Sequence, residues 1–376
     1  MNNKIANIRK NIFKYLSAAT LIMSALLILF FLLISVSCTR VLPENSELPE
    51  VLAAESFLAD ITANISGNRL KVDSLIPAGL DPHGFEPTPA DVIKISQCDI
   101  LIINGAGFEE WLKPVITDSM EDIVIVEASK GLKSRTEIES PMENEKKQEN
   151  FSEDADEHDE AGHAIDENDE AVHDDIAHNE ETENDYGHSE EKHSTDKHAH
   201  EKDSHFWLNP YLVITYVNNI RDALIDADPA AKDFYIKNAE EYTKKLLILD
   251  SWIMEEVKKI PEDKRLLITN HESFGYYADR YGFKIIGGII PSSSTASSPS
   301  AREVAELIDK INTLNIKAIF LETGSDPKIA NQIADETGVD IITELYTHSL
   351  TGPDGDAPAY IDMIRYNTIK IVESLK

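Results

Sequence analysis

Short continuous apolar runs alternate along this chain with segments whose apolar residues recur at helical spacing. The first pattern suits a short buried strand and the second an amphipathic helix. Val41 to Pro49 is rich in Pro and Glu and reads as a linker. The elements assigned after it are a strand at Leu70–Pro77, a helix at Pro89–Gln97, a strand at Asp99–Ile103, a short helix at Glu109–Asp118 and a strand at Ile123–Glu127. The alternation stops at about Glu137 and resumes at His205, where two helices follow, Pro210–Asp226 and Pro229–Ile260. The second sets Phe234, Tyr242, Leu246, Leu249, Ile253 and Val257 at helical spacing, with Pro229 near its start and Pro261 ending it. At ~1.5 Å per residue it would run roughly 45 Å, the width of a domain, and would serve as a strut.

Beyond it, strands at Arg265–Thr269, Phe283–Ile290, Lys317–Leu321 and Val339–Thr343 alternate with helices at Ser273–Tyr281, Ala301–Leu314, Pro327–Thr337 and Ala359–Leu375. Ser292–Ser300 is a loop whose last residue can cap the helix after it. Strands separated by helices imply parallel sheets. The expectation is an α/β protein with two Rossmann-like lobes joined by one long helix. Its parts are an export segment at 1–38, a linker at 39–49, a first lobe at 50–227, a connecting helix at 228–260 and a second lobe at 261–376.

Charge changes the picture at two places. The 376 residues carry a net charge of -33, which repels phosphate and argues against a nucleic-acid partner. Between Glu139 and Ser204 there are 25 Asp/Glu against 5 Lys, together with eight of the twelve histidines: His158, His163, His173, His178, His188, His193, His198 and His200. This tract has no apolar periodicity and cannot bury enough surface to offset the entropy of ordering, so about 137–204 reads as a disordered loop. The second place is the amino terminus. Lys4, Arg9, Lys10 and Lys14 precede an uncharged apolar run from Tyr15 to Thr39 that ends in Ser35-Val36-Ser37-Cys38. That ending resembles a bacterial lipoprotein signal with Cys38 as the lipidated residue, although the run is also long enough to span a bilayer uncleaved. Both readings put the folded part outside the cytoplasm, tethered to membrane. With Cys98 as the only other cysteine, no disulfide framework is expected.

Outside the acidic tract four histidines remain: His83 in GLDPHGFEP, His205 in HFWLNP, His271 in ITNHESF and His348 in LYTHSL. Each lies where a strand-like segment, or the end of the acidic tract, gives way to a loop or helix. In open α/β sheets ligands gather beyond the carboxyl ends of strands. Imidazole suits Zn²⁺, whereas a set without carboxylates disfavours Mg²⁺, Ca²⁺ and, less strongly, Mn²⁺. Four protein ligands close the coordination shell and favour binding over catalysis. His271-Glu272 begins like HExxH, but Gly275 stands at the fifth position and the zinc-protease helix motif is absent. The bland alternative is that each histidine only caps or turns the chain. Glu86 and Glu322, near the presumed cleft, could orient an imidazole N–H or simply pair with arginines.

GLDPHGFEPTPADV, HFWLNP and NHESFGYYADRYG together resemble the signatures of the metal-binding lipoproteins that serve ABC importers of zinc and manganese. The resemblance runs from about Pro49 to Lys376, apart from the acidic tract. It implies two α/β lobes joined by one rigid helix with the metal in the cleft between them, and no catalysis. By position it implies His83, His205 and His271 as the first three ligands. The family usually has Asp or Glu at the fourth, where this chain has His348; Glu344, Asp354 or a water could serve instead. A histidine at the third position points to zinc, since manganese members tend to have a carboxylate there. The usual Asp-Pro before the second histidine is Asp203-Ser204 here, which should loosen that approach. The His-rich tract, present in zinc-specific relatives, would collect Zn²⁺ or be only a solvated linker.

The function expected is therefore capture of Zn²⁺ as cargo by a monomer and its delivery to a zinc ABC permease in the membrane. The rivals are Mn²⁺ or Fe²⁺ as cargo, a zinc-dependent hydrolase, and a surface adhesin with structural metal. Protons compete for imidazole, so zinc affinity should weaken as pH falls toward ~6 and below. Chelator competition at several pH values checks this, and a flat profile would count against histidine ligands.

Overall fold

Val51, Leu52 and Ala53 are buried and form β1 (Val51–Ala53), which the apolar pattern around the linker does not announce. Glu55 precedes a helix, α1 (Ser56–Ser66), that buries Phe57, Leu58, Ile61 and Ile65 on one face. These two elements come before the first strand expected from the sequence. The computed structural model describes residues 48–116, 120, 122–135 and 202–376. Cys38 and the eight tract histidines lie outside the described residues. The chain separates into Met1–Leu48 and Pro49–Lys376, and all that follows concerns the second unit. Among the described residues no helix is long and apolar enough to cross a membrane.

The first lobe continues with β2 (Val72–Ser74), α2 (Pro89–Gln97), β3 (Ile100–Ile103) and β4 (Val124–Glu127). Its sheet is parallel in the order β2-β1-β3-β4. Thr88 starts α2 with a capping box to Asp91 and Pro89 at the first turn. Where a helix is expected at Glu109–Asp118, the described residues, which reach 116, form only a 3₁₀ turn at Glu110–Leu112. Pro114 interrupts that segment, and the Glu109 carboxylate reaches back to the backbone N–H groups of Asn104 and Gly105 instead of supporting a helix.

The chain then forms α3 (Val213–Ala227) and, after a 3₁₀ turn at Pro229–Ala231, the long α4 (Lys232–Val257). With 26 residues α4 is roughly 39 Å long. It buries Tyr235 and Tyr242, followed by Leu246, Leu249, Ile253 and Val257; Phe234, expected on that face, is exposed, one position out of phase. The second lobe contains β5 (Leu266–His271), α5 (Gly275–Tyr281), β6 (Lys284–Ile290), α6 (Ala301–Leu314), β7 (Ala318–Glu322), α7 (Lys328–Thr337), β8 (Asp340–Leu345) and α8 (Tyr360–Leu375). Its sheet is parallel in the order β6-β5-β7-β8, the same topology as the first. Ser300 caps α6 with a capping box to Glu303, as its position suggested.

Both sheets share one core. Phe57, Trp207 and Tyr216 from the first half belong to the same apolar cluster as Leu249 of α4 and Phe320, Tyr360 and Met363 of the second lobe. The outer faces have smaller cores of their own, around Ile95 and Leu101 in one lobe and Ile268, Leu307 and Ile333 in the other. Hydrogen bonds cross the junction as well. Trp207 Nε1 donates to Thr347 O at 2.6 Å, the Tyr360 hydroxyl to Trp207 O at 2.6 Å, and Leu350 N to Ser56 Oγ at 2.8 Å. Burying Trp207 and Tyr360 in a common core stabilises the closed arrangement by a few kcal/mol each, which resists free rotation of one lobe on the other.

One buried pair sets a pH dependence. Glu55 is 1% exposed with no hydrogen-bond partner for either side-chain oxygen among the described residues, and its acidic neighbour is Glu109, 6% exposed. Burial, then the Glu109 charge, holds the Glu55 carboxyl well above the usual range; burial pushes Glu109 up to about 7. Folded-state values above the unfolded ones mean that stability is fully present below pH ~4.5 and is lost as pH rises towards 7. Glu55→Gln should therefore raise the melting temperature at pH 8 by roughly 1–2 °C, the yield of about 1 kcal/mol in a unit of this size, and change it little at pH 5. Thermal denaturation at both pH values checks this; equal shifts would show that Glu55 does not titrate between them.

Candidate metal centre

Four imidazoles meet where the carboxyl ends of the strands face the junction. His83 is in a 3₁₀ turn, Pro82–Gly84, fixed by Asp81, whose Oδ1 accepts the His83 backbone N–H at 2.9 Å. His205 precedes the 3₁₀ turn Phe206–Leu208, whose buried Phe206, Trp207 and Leu208 anchor it in the shared core. His271 is the last residue of β5, and His348 follows β8. One ring nitrogen from each lies within 4.8 Å of the other three. From His205 Nε2, the Nε2 atoms of His83, His271 and His348 are 3.3, 3.2 and 3.4 Å away. Metal–nitrogen bonds of about 2.0–2.1 Å in a tetrahedron would put ligand nitrogens roughly 3.3 Å apart.

The opposite ring nitrogens of His205 and His271 face carboxylates, and that of His348 lies 3.1 Å from the Thr347 hydroxyl. His205 Nδ1 lies 3.0 Å from Asp203 Oδ1, which also accepts the His205 backbone N–H at 3.0 Å. Glu322 ends β7, and its neighbour in the sheet is β5, so the pairing of Thr269 with Phe320 sets Glu322 beside His271. His271 Nδ1 is 2.6 Å from Glu322 Oε1, a charge contact rather than an aligned hydrogen bond. Glu322 Oε2 accepts the Thr347 hydroxyl at 2.7 Å and lies 3.5 Å from His348 Nδ1. Ser273 Oγ donates to Glu322 Oε1 at 3.2 Å. One carboxylate thus serves two imidazoles. Phe108 packs edge-on against His83 and Trp207 lies beside His205, so apolar rings close the first-lobe side.

Burial dominates the electrostatics. It holds His205 and His348 well below the usual imidazole range and takes His83 down to about 4, with help from the His271 charge. His271 is the exception: burial lowers it, but Glu322 outweighs burial and its pKa is raised. Burial pulls Glu322 upward, yet the His271 charge at close contact, then that of His348 and the Thr347 hydroxyl, leave it at about 2, ionised at any physiological pH. At neutral pH three imidazoles are therefore neutral and ready to donate a lone pair, and proton competition at those three requires more acid than for free histidine.

Of the residues singled out from the sequence, His83, His205, His271 and His348 come together, and Glu322 stands directly behind two of them. Glu86 is exposed and outside the cluster, as are Glu344 and Asp354, and the fourth member of the cluster is His348. The loosening expected from Asp203-Ser204 is not seen. Both residues are buried, Ser204 O accepts Asn104 Nδ2 at 3.1 Å, and Tyr276 OH donates to Asp203 O at 2.8 Å. Sequence reasoning missed Asp203 as a partner of His205, although an acid two residues before a candidate ligand was the available signal. Cys98 is a buried apolar-site thiol, raised to about 11 by burial, far from this chemistry in the outer core of the first lobe. A cavity of about 740 Å³ adjoins the cluster, lined by Asp81, Thr295, Glu322, Thr347 and His348.

The family model described as "Zinc-uptake complex component A periplasmic" matches residues 51–374. The chain belongs to this family. It is a substrate-binding component of a metal ABC transporter and not an enzyme. The manganese-binding lipoprotein MntA of Halalkalibacterium halodurans is 27% identical over 332 residues, covering 88% of this chain and 90% of the relative. The Mn-bound periplasmic metal binding protein of Candidatus Liberibacter asiaticus is 26% identical with a TM-score of 0.66, over 87% of this chain and 100% of that one. The periplasmic zinc binding protein TroA of Treponema pallidum shares the fold, with a TM-score of 0.67 at 21% identity over 88% and 99% of the two chains.

Glu322→Gln removes the charge that two imidazoles share and keeps the shape. It should lower affinity for a divalent cation by roughly 10–100-fold, the usual range for a group behind a ligand. Chelator competition measures this, and an unchanged affinity would show that Glu322 only braces β7.

Proposed function

We propose that this protein captures Zn²⁺ through His83, His205, His271 and His348 and delivers it to an ABC permease from outside the cytoplasm, tethered through Cys38. The observation that carries the reading is the convergence of four Nε2 atoms, at separations of 3.2–3.4 Å from His205, with no carboxylate among them. A set of four neutral nitrogen donors favours a borderline cation and tetrahedral geometry, and the charge of Glu322 and Asp203 offsets part of the cost of burying a dication. Because the four donors complete the shell, the ion is held as cargo with no open position for an activated water.

A second reading takes Mn²⁺ as the cargo, and it is favoured by the names of relatives such as MntA. The donor set argues the other way, since manganese prefers oxygen ligands. Equilibrating the metal-free protein with equal Zn²⁺ and Mn²⁺, removing free ions and measuring bound metal by mass spectrometry decides between the two. Zinc should dominate by at least tenfold in the wild-type protein, and His348→Asp should narrow that margin. Mn²⁺ in excess would establish the second reading, and no retained metal would overturn both.

A further inference from the structure

Arg135 is remote in sequence from all four histidines, on the segment that follows β4 in the first lobe. Its guanidinium nevertheless reaches the back of the metal centre. Nε and Nη2 donate to the two carboxylate oxygens of Asp279 on α5, at 2.8 and 3.2 Å. Nη1 lies 3.6 Å from Asp203 Oδ2, too far for a hydrogen bond but close enough for an ion pair between side chains that are 17% and 4% exposed. That oxygen has no hydrogen-bond partner among the described residues, so Arg135 supplies its nearest opposite charge. The other Asp203 oxygen is the one that faces His205 Nδ1. The Arg135 backbone N–H donates to Tyr276 OH at 2.9 Å, and Tyr276 OH donates to Asp203 O at 2.8 Å. Side chain and main chain thus both lead to Asp203, the first directly and the second through Tyr276.

Gly275 makes the arrangement possible. A Cβ at this position would stand 1.8 Å from Arg135 Nη1 and 2.7 Å from Asp203 Oδ2. The glycine that spoils HExxH is therefore the gap into which the guanidinium fits. A bidentate guanidinium–carboxylate pair has a fixed fork geometry, which makes it a stiffer support than a lysine would be.

We propose that Arg135 is a positioning residue of the metal centre: anchored to α5 of the second lobe, it holds Asp203 where that carboxylate fixes His205 with its Nδ1 protonated and its Nε2 aimed at the cargo. This inference rests on the functional reading given above. It assigns to one residue of the first lobe and one helix of the second the orientation of the ligand to which the other three are closest. Partners behind a ligand set its tautomer and ring orientation.

The full chain tests it, with Zn²⁺ as the probe. In the metal-free wild-type protein, ¹⁵N correlation spectra of the imidazoles should show His205 as the Nδ1–H tautomer. Arg135→Met keeps much of the bulk and removes the charge. It should give a mixture of tautomers at His205 and lower Zn²⁺ affinity about tenfold, at the lower end of the range for groups behind a ligand. Arg135→Lys should recover part of both. Gly275→Ala, which leaves Arg135 and Asp203 intact but occupies the gap, should reproduce the effect of Arg135→Met. A wild-type tautomer with Zn²⁺ affinity within twofold in both Arg135→Met and Gly275→Ala overturns the proposal and leaves Arg135 as a brace between lobes. Failure of the wild-type protein to bind Zn²⁺ would instead remove the functional reading, while the tautomer spectra would still decide whether Arg135 positions His205.

Discussion

Four imidazoles aimed at one point in a buried junction repel each other unless something positive lies between them. Their lone pairs converge, and burial keeps His83, His205 and His348 from taking up protons to relieve the conflict. A divalent cation resolves it, because each lone pair then gains a strong electrostatic bond that water no longer screens. The surrounding structure is arranged to maintain that tension. Asp203 and Glu322 occupy the far sides of three rings, and Phe108 and Trp207 close the apolar side.

Holding the rings in place falls to the two parallel sheets and the core they share. His271 and Glu322 are terminal residues of adjacent strands, so their contact is a consequence of sheet register. His348 lies just after β8 on the other side of β7, which brings Glu322 between them. His83 and His205 come from the other lobe and depend on Asp81 and on the buried Phe206–Leu208 turn. The long α4 packs into the core common to both lobes, and the hydrogen bonds of Trp207 and Tyr360 tie that core to the loop of His348. Release of a cargo from such a site requires a disturbance of the junction itself, since the ligands are fixed to elements that are rigid within each lobe.

The acid placed behind a ligand shows how composition alone can mislead. Among so many carboxylates, Asp203 looks like the last residue of a solvated acidic tract. In the fold it is buried beside His205, while Glu86, which lies three residues from His83 and was one of the two acids considered as imidazole partners, is exposed. Nearness in sequence does not decide which carboxylate reaches an imidazole; the direction in which the chain enters the core does.

The alternation of apolar runs and helical spacing was enough to read most of the strands and helices, both lobes and the long helix, because period-2 and period-3.6 burial leave their mark directly on residue order. Removing the tract histidines left the four that cluster, because histidine is scarce and chemically distinctive in the rest of the chain. The sequence did not reveal β1 and α1, whose short strand follows a linker, nor the failed helix at Glu109, where Pro114 and a side chain capping its own loop prevail over local propensity. Only the tertiary structure decided that His348 joins the other three histidines, that Glu322 lies beside two rings, and that Arg135 reaches Asp203 through the gap at Gly275. Those are contacts between residues far apart in the chain, fixed by sheet register and by the packing of two lobes on one core, and no local pattern encodes them.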